Sequence, residues 1–424
     1  MRNTNSPLPL SLLALLLAFS ACQPLSRSAQ NPRFPTALNA QSNPTNRSNL
    51  TNLRKNAITA SFVRAYLPTV AENEPLARAD SQGPAQELLN LINSAQASLD
   101  GAFYDIREPM MVQALIRAKQ RGVNVRLVTE SDNMGEEANP CPQPNGQMRK
   151  VLQDLLNAGI PIVSDQRSGL MHHKFMVADR MRVWMGSTNL TSSSLFRHNN
   201  TALTLVSAPL AANYTYEFEQ LFMARNFGPP RAVINPIVDL QGAAVKTYFS
   251  PRGGGQEAVV AALQNARKSI HFLTFSLTDP QLGEILSGKQ QAGLDVRGVF
   301  DRCLSKGQYS LYWPLKRTGM QVFIDGNEAL LHNKVMIIDG ETVITGSYNF
   351  SKNAEKSNNE SFVIVEKAPE LGAAFESEYN RLQYAAQHNN PPDGQCPGTA
   401  PPSPPPCQPA DPVDPVDIEI PDFD

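Results

Sequence analysis

His172-His173-Lys174-Phe175-Met176-Val177-Ala178-Asp179, then six residues, then Gly186-Ser187-Thr188-Asn189 form one stretch of this chain. His332-Asn333-Lys334-Val335-Met336-Ile337-Ile338-Asp339, six residues, and Gly346-Ser347-Tyr348-Asn349 repeat it without insertion or deletion. Both read H-x-K-x4-D-x6-G-S-x-N. A lone H-x-K recurs in unrelated proteins and decides nothing. Six matched positions at fixed spacing, met twice in 424 residues, leave little room for chance.

The duplication reaches beyond the motif. Ala266 to Phe275 lines up with Ala95 to Tyr104 at an offset of 171, and Gly293-Leu294-Asp295-Val296-Arg297 with Gly122-Val123-Asn124-Val125-Arg126 at the same offset. The motifs themselves are offset by 160, so the first half carries about 11 extra residues, assigned to the loop around Cys141. Helical spacing over Gly83 to Ser98 precedes a strand at Leu99 to Tyr104. A helix at Met110 to Arg121, a strand at Val123 to Val128, a helix at Met148 to Leu156 and a strand at Ile160 to Val163 follow. Lys174 to Val177 and Arg182 to Met185 read as a hairpin. Strands alternating with helices predict an α/β fold, here two duplicated lobes, each a mixed β-sheet flanked by helices, related as a pseudo-two-fold dimer within one chain.

Composition separates this body from its ends. Hydrophobic content of 41% and mean hydropathy of -0.30 suit a globular protein, while most of the excess among the 34 prolines lies near the termini. Arg2, an apolar run from Leu8 to Phe19 and Ser20-Ala21 before Cys22 read as a signal peptide over 1–21, too short to span a bilayer comfortably. Cys22 at that place resembles the lipidated cysteine of a bacterial lipoprotein; plain secretion is the alternative. Residues 22–58 form a polar stalk with five basic and no acidic residues, and 389–424 a Pro-rich tail with seven acidic and no basic ones. The lobes are expected over 59–228 and 245–388, joined by a linker over 229–244. With a formal net charge of -2 overall, the body is left near neutrality and carries no strongly basic footprint. Export places the cysteines where disulfides persist. Cys396 and Cys407 are expected to pair in the tail; Cys141 and Cys303 lie in loops that could overhang the cleft between the lobes, and the sequence leaves open whether they are bridged or separate.

Two such motifs on duplicated α/β lobes resemble the phospholipase D superfamily, over roughly 60 to 388. The resemblance implies cleavage or exchange of phosphodiesters without metal or other cofactor, through a phosphohistidine formed where the motifs meet. The residue types fit that chemistry. A phosphodiester is anionic and repels nucleophiles, so cations and hydrogen-bond donors must hold it. Lys174 and Lys334 are candidates for the charge, and Ser187, Asn189, Ser347 and Asn349 for the neutral donors. One of His172 and His332 attacks phosphorus while the other protonates the leaving oxygen. Asp179 and Asp339, near turns, are expected to be structural. His173, on the opposite side of an extended segment from His172, is left out of the site.

The halves differ downstream. The resemblance implies a carboxylate that orients the catalytic imidazole; Glu360 lies 28 residues after His332, where the first half has Asn200 or, with one gap, Thr201. Within each half this predicts Glu360 beside His332, making it the acid, and a neutral partner beside His172, the nucleophile. Tyr309, Tyr312 and Trp313 with Lys306, Lys316 and Arg317 are candidates to line an entrance. The function expected is hydrolysis of phospholipids, or transfer of the phosphatidyl group, by an enzyme held at the bacterial cell envelope through Cys22. A metal-independent nuclease and an inactive scaffold are the alternatives. A monomer is expected, since each lobe meets its partner within the chain.

Overall fold

The structure, a computed structural model, describes residues 57–135, 148–228 and 232–392. The first lobe runs β1 (Ile58–Phe62), α1 (Val70–Ala79), α2 (Pro84–Ser94), β2 (Ser98–Phe103), α3 (Pro109–Gln120), β3 (Asn124–Thr129), α4 (Lys150–Asn157), β4 (Ile162–Ser164), β5 (Lys174–Ala178), β6 (Arg182–Gly186), α5 (Ser192–Phe196), β7 (Thr201–Val206) and α6 (Ala208–Phe222). The second runs β8 (Val238–Leu240), β9 (Ala243–Ser250), α7 (Gly255–Asn265), β10 (Ser269–Thr274), α8 (Pro280–Gln291), β11 (Asp295–Phe300), α9 (Tyr312–Arg317), β12 (Gln321–Ile324), β13 (Lys334–Ile338), β14 (Thr342–Gly346), α10 (Lys352–Lys356), β15 (Glu360–Glu366) and α11 (Pro369–His388).

The sheets are ordered β1-β7-β6-β5-β2-β3-β4 and β8-β9-β15-β14-β13-β10-β11-β12. Strand for strand they match, with β8 as an extra edge. In each, three parallel strands (β2-β3-β4, β10-β11-β12) adjoin an antiparallel set that carries the motif hairpin. The expected α/β duplication is what the chain forms.

Every residue of β5 and of β13 is buried, because both faces of each sheet are covered. Met176 and Ala178 point into a core shared with α2 and α3 of their own lobe, and Met336 and Ile338 into its counterpart. Phe175, Val177, Val335 and Ile337 point the other way, into one core built by both lobes together with α6 and α11. The alternation of strand side chains thus feeds two apolar layers per lobe, one private and one shared.

The motif aspartates explain their own position. Asp179 and Arg180, and Asp339 and Gly340, have positive φ and open the three-residue turns, completed by Met181 and Glu341, between the hairpin strands. Each carboxylate accepts three backbone N–H groups at the start of the neighbouring strand: Gln96, Ala97 and Ser98 for Asp179, and Arg267, Lys268 and Ser269 for Asp339. Burial alone would raise these carboxyls, but the three N–H groups outweigh it and hold both below the usual range.

The expected boundaries shift at the start of each lobe. Val238–Leu240, placed in the linker, pairs antiparallel with β9 through a Gln241-Gly242 turn. Ala57, placed in the stalk, is buried in the shared core. The expectations for the signal peptide, Cys22, Cys141, Cys396, Cys407 and the acidic tail lie outside the described residues. Among those described, no helix is long and apolar enough to cross a membrane.

Candidate active site

The segment entering each motif strand runs alongside the Asn-Asn pair of the other lobe. His172 N–H donates to the Asn359 carbonyl and Asn359 N–H to that of Leu170. Symmetrically, His332 N–H donates to the Asn199 carbonyl and Asn199 N–H to that of Leu330. This exchange decides the imidazole partners. Nδ1 of His172 lies 2.7 Å from Oε2 of Glu360, and Nδ1 of His332 lies 2.9 Å from Oδ1 of Asn200. The expected pairing within each half is therefore wrong: the carboxylate serves His172 and the amide serves His332. The partners on which the expected roles of acid and nucleophile rest are exchanged, and that basis for the roles falls. The duplicated lobes trade these residues across their interface, which no spacing along the chain reveals.

Asn200 fixes a tautomer. Its amide nitrogen donates to the carbonyl and hydroxyl of Ser194, so its oxygen faces His332 and must accept from Nδ1–H. Nε2 of His332 is then the reactive nitrogen. On His172, the Glu360 carboxylate likewise accepts Nδ1–H and leaves Nε2 to react.

Both motif serines are fully buried and committed. Ser187 Oγ donates to Asn200 Oδ1 at 2.7 Å and Ser347 Oγ to Glu360 Oε2 at 2.7 Å, while each accepts a backbone N–H from β7 or β15. They hold the residues that hold the histidines, and the expectation that they bind phosphate is corrected. The preceding glycines permit this contact: a Cβ on Gly186 or Gly346 would strike the backbone of Thr201 or Ser361. The side chains of Asn189 and Asn349 make no hydrogen bond to the protein among the described residues, so their amide N–H groups remain the neutral donor candidates for substrate.

Lys174 Nζ donates to the His172 carbonyl at 2.8 Å and Lys334 Nζ to that of His332 at 2.7 Å. Lys174 stands over Tyr104 and Lys334 over Phe275, and the same rings meet His172 and His332 edge-on. Burial pushes Lys174 down to about 7 and Lys334 well below the ordinary lysine range, the latter with help from Lys174. It pushes His172 down to about 4 against the pull of Glu360, and His332 well below its ordinary value with help from Lys334. Burial would raise Glu360, but His172 and Lys174 outweigh it and keep the carboxyl low. Each histidine feels the lysine of the other lobe. The two motifs thus make one electrostatic unit, short of negative charge and ready for an anion.

Other residues escaped the sequence reading. His173 does face away, into the core, against Glu217 at 3.1 Å. Behind each catalytic strand sits a buried carboxylate pair. Glu130 Oε2 accepts Met171 N–H at 2.7 Å and Asp301 Oδ2 accepts Leu331 N–H at 3.0 Å, one residue before each motif histidine. Beside them, Asp165 is pushed up to about 8 by burial and the Glu130 charge, and Asp325 is raised by burial and Asp301. Their offsets of 171 and 160 match those of the duplication, the signal that would have exposed them. His198 stands 6.2 Å from His332, ring to ring. Of the expected entrance, Tyr309 and Trp313 are exposed, whereas Tyr312 packs inward on Phe300 and Lys316 turns to the Val322 carbonyl. Cys303 is not a free thiol. Among the described residues, no group of three His, Cys, Asp or Glu is placed to hold a metal ion.

The family model for a cardiolipin synthase, phospholipase D-like domain matches residues 88–222 and again 259–383. A phospholipase D of Rickettsia prowazekii is 33% identical over 154 residues, 36% of this chain and 75% of that protein. The mitochondrial cardiolipin hydrolase of Homo sapiens is 28% identical over 192 residues, 45% of this chain and 70% of that one. The crystal structure of phosphatidylserine synthase from Haemophilus influenzae shares the fold, with a TM-score of 0.56 at 12% identity over 81% of this chain and 91% of its own. Two matched domains, each bringing its motif to a common site, make this chain a member of the phospholipase D superfamily and an enzyme of the phospholipase D phosphodiesterase type.

Proposed function

We propose that the protein is an exported, metal-independent phosphodiesterase that hydrolyses phospholipids, or passes the phosphatidyl group to an alcohol, through a phosphohistidine on His172. The observation that carries this reading is the crossed partnering of the two histidines. Nε2 of His172 attacks phosphorus; the bond from phosphorus to the leaving oxygen breaks, and Nε2–H of His332 gives that oxygen its proton. Phosphorylation at Nε2 leaves the His172 ring cationic, and the Glu360 carboxylate at Nδ1 offsets that charge for the lifetime of the intermediate. His332 carries positive charge only in passing, which suits its neutral partner Asn200. Its imidazolium, crowded by Lys334, is a strong acid once the phosphate anion supplies a counter-charge. Lys174, Lys334, Asn189 and Asn349 hold the non-bridging oxygens. Water or an alcohol then attacks phosphorus, His332 takes back a proton, and the phosphorus–nitrogen bond breaks. The names of the relatives, a phospholipase D and a cardiolipin hydrolase, support lipid as substrate.

Cleavage of Ala21–Cys22 and lipidation of Cys22 would keep the site beside membrane lipid, and Cys141–Cys303 would join loops of the two lobes. The test uses the purified full chain in EDTA with phospholipid vesicles and, separately, plasmid and single-stranded DNA. Head-group release is expected, abolished by H172N and by H332N. DNA cleavage without head-group release would replace lipid by nucleic acid. Trapping the phosphoenzyme by a denaturing quench at alkaline pH, where the phosphorus–nitrogen bond survives, is expected to label His172; label on His332 would interchange the two roles.

A further inference from the structure

His198 has no counterpart in the second lobe. The equivalent position is Asn358, whose side chain is spent within the protein: Nδ2 donates to Glu360 Oε1 at 3.4 Å and Oδ1 accepts Leu170 N–H at 3.2 Å. The ring of His198, by contrast, is partly exposed and makes no hydrogen bond among the described residues. It stands 6.2 Å from the His332 ring, and its backbone neighbour Asn199 receives the His332 N–H. The site is therefore asymmetric in a second way, with a spare imidazole on the His332 side alone.

The direction of the reaction gives that side a meaning. Attack by His172 drives the leaving oxygen towards His332, so whatever that oxygen carries must pass next to it. In a phospholipid this is the head group. We infer that His198 is the head-group contact of this enzyme and selects a head group bearing hydroxyl or phosphate over one bearing a quaternary ammonium. The inference rests on the roles proposed above for His172 and His332.

Three observations favour that class. A neutral imidazole offers one donor and one acceptor, the complement of a hydroxyl. Burial, Lys334 and Arg197 all press His198 towards its neutral form, down to about 4, and no carboxylate opposes them. A fixed positive charge arriving there would meet Lys334, while Arg197 on the other side is already paired with Glu74 at 2.7 Å and offers no compensating negative charge. Finally, recognition of a quaternary ammonium relies on open aromatic faces, and the two rings beside the catalytic histidines are already covered, Tyr104 by Lys174 at 5.1 Å and Phe275 by Lys334 at 4.6 Å.

The test compares kcat/KM for phosphatidylglycerol and phosphatidylcholine in identical mixed micelles, using the full chain. The wild type is expected to prefer phosphatidylglycerol. H198A is expected to lower the ratio of the two kcat/KM values about tenfold, mostly through KM for phosphatidylglycerol, and H198Q to restore part of it. An unchanged ratio, or an equal fall in kcat on both lipids, would overturn the assignment while leaving the lipid reading intact. A wild type that prefers phosphatidylcholine would do the same. Wild-type protein that cleaves DNA and neither lipid would overturn both readings together.

Discussion

Glu360 and His172 lie 188 positions apart in the chain and 2.7 Å apart in space, joined across the interface of the two lobes. Neither lobe alone holds an oriented His172, because its motif supplies the imidazole and the other lobe supplies the carboxylate. Asn200 and His332 repeat the relationship in the opposite direction, with an amide in place of the acid. A duplication that would otherwise yield two equal histidines thereby yields two unequal ones.

Replacing Glu360 by Gln keeps the shape and a hydrogen bond but removes the charge that offsets the phosphorylated ring. Loss of kcat by about 10²- to 10⁴-fold is expected, with KM changed far less, since phosphate binding rests on the lysines. Steady-state kinetics with the purified variant check it. N200D, which gives His332 a carboxylate it does not have, should instead weaken His332 as an acid and slow the first step. Rapid-quench measurement of phosphoenzyme formation reads that directly.

Ser347 is predicted to act at one remove. Its hydroxyl donates to the oxygen of Glu360 that faces His172. S347A should cost about tenfold in kcat and leave KM for substrate nearly unchanged. A serine bound to phosphate would show the reverse, with KM rising, so the kcat and KM split discriminates the two placements.

What was legible in the sequence follows from what repeats along it. Strand and helix positions from Leu99 to Met185 emerged within a few residues, because alternation and helical spacing are local. The fully buried β5 and β13 were found through the motif rather than through alternation, which two-sided burial removes. The site residues were found for the same reason, whereas their pairing was not: within one half, Glu360 follows His332 at a sensible spacing, and only the crossing of backbone segments at Asn199 and Asn359 reassigns it. Glu130, Asp165, Asp301 and Asp325 were invisible singly and become apparent when the two halves are laid over each other. The hairpin at Val238–Leu240 was missed because a three-residue strand carries too little pattern, although Gln241-Gly242 marks its turn.

Lys174 should set the alkaline limit of the reaction. Burial pushes it down to about 7, so in the free enzyme its charge is present below that pH and lost above it. kcat/KM is therefore expected to fall as pH rises through about 7, whereas kcat holds to higher pH because the bound phosphate retains the proton on the lysine. Arginine remains charged throughout, so K174R should lose activity through its different geometry yet shift the alkaline limb of kcat/KM upward. Parallel pH profiles of the wild type and K174R check both statements.

Asp339 is predicted to matter for stability and not for chemistry. It accepts N–H groups from Arg267, Lys268 and Ser269 and lies in the hairpin turn, away from the histidines. D339N should cost about 1–3 kcal/mol by chemical denaturation while leaving the kcat of the folded fraction within about twofold. Because the folded carboxyl is held below its ordinary value of 3.8, this stability is present above that pH and lost below it.

The carboxylate pair behind His172 should show the opposite sign. Asp165 is pushed up from 3.8 to about 8, so between those values the folded protein keeps a proton that the unfolded chain has released. Wild-type stability from this group therefore falls as pH rises through the window and levels off above about 8. Asparagine resembles the protonated acid and never ionises, so D165N removes the loss. Its melting temperature relative to wild type should rise between about pH 5 and about pH 9, at roughly 2–4 °C per kcal/mol recovered. His172 and His198, held near 4, lose stability as pH falls below 6.5 in both proteins and cancel from the difference. If the difference is flat with pH, Asp165 does not hold its proton in the folded protein. Differential scanning calorimetry across the window decides it. The same variant should keep the alkaline limb of kcat/KM in place, since Asp165 has no part in holding Lys174 down.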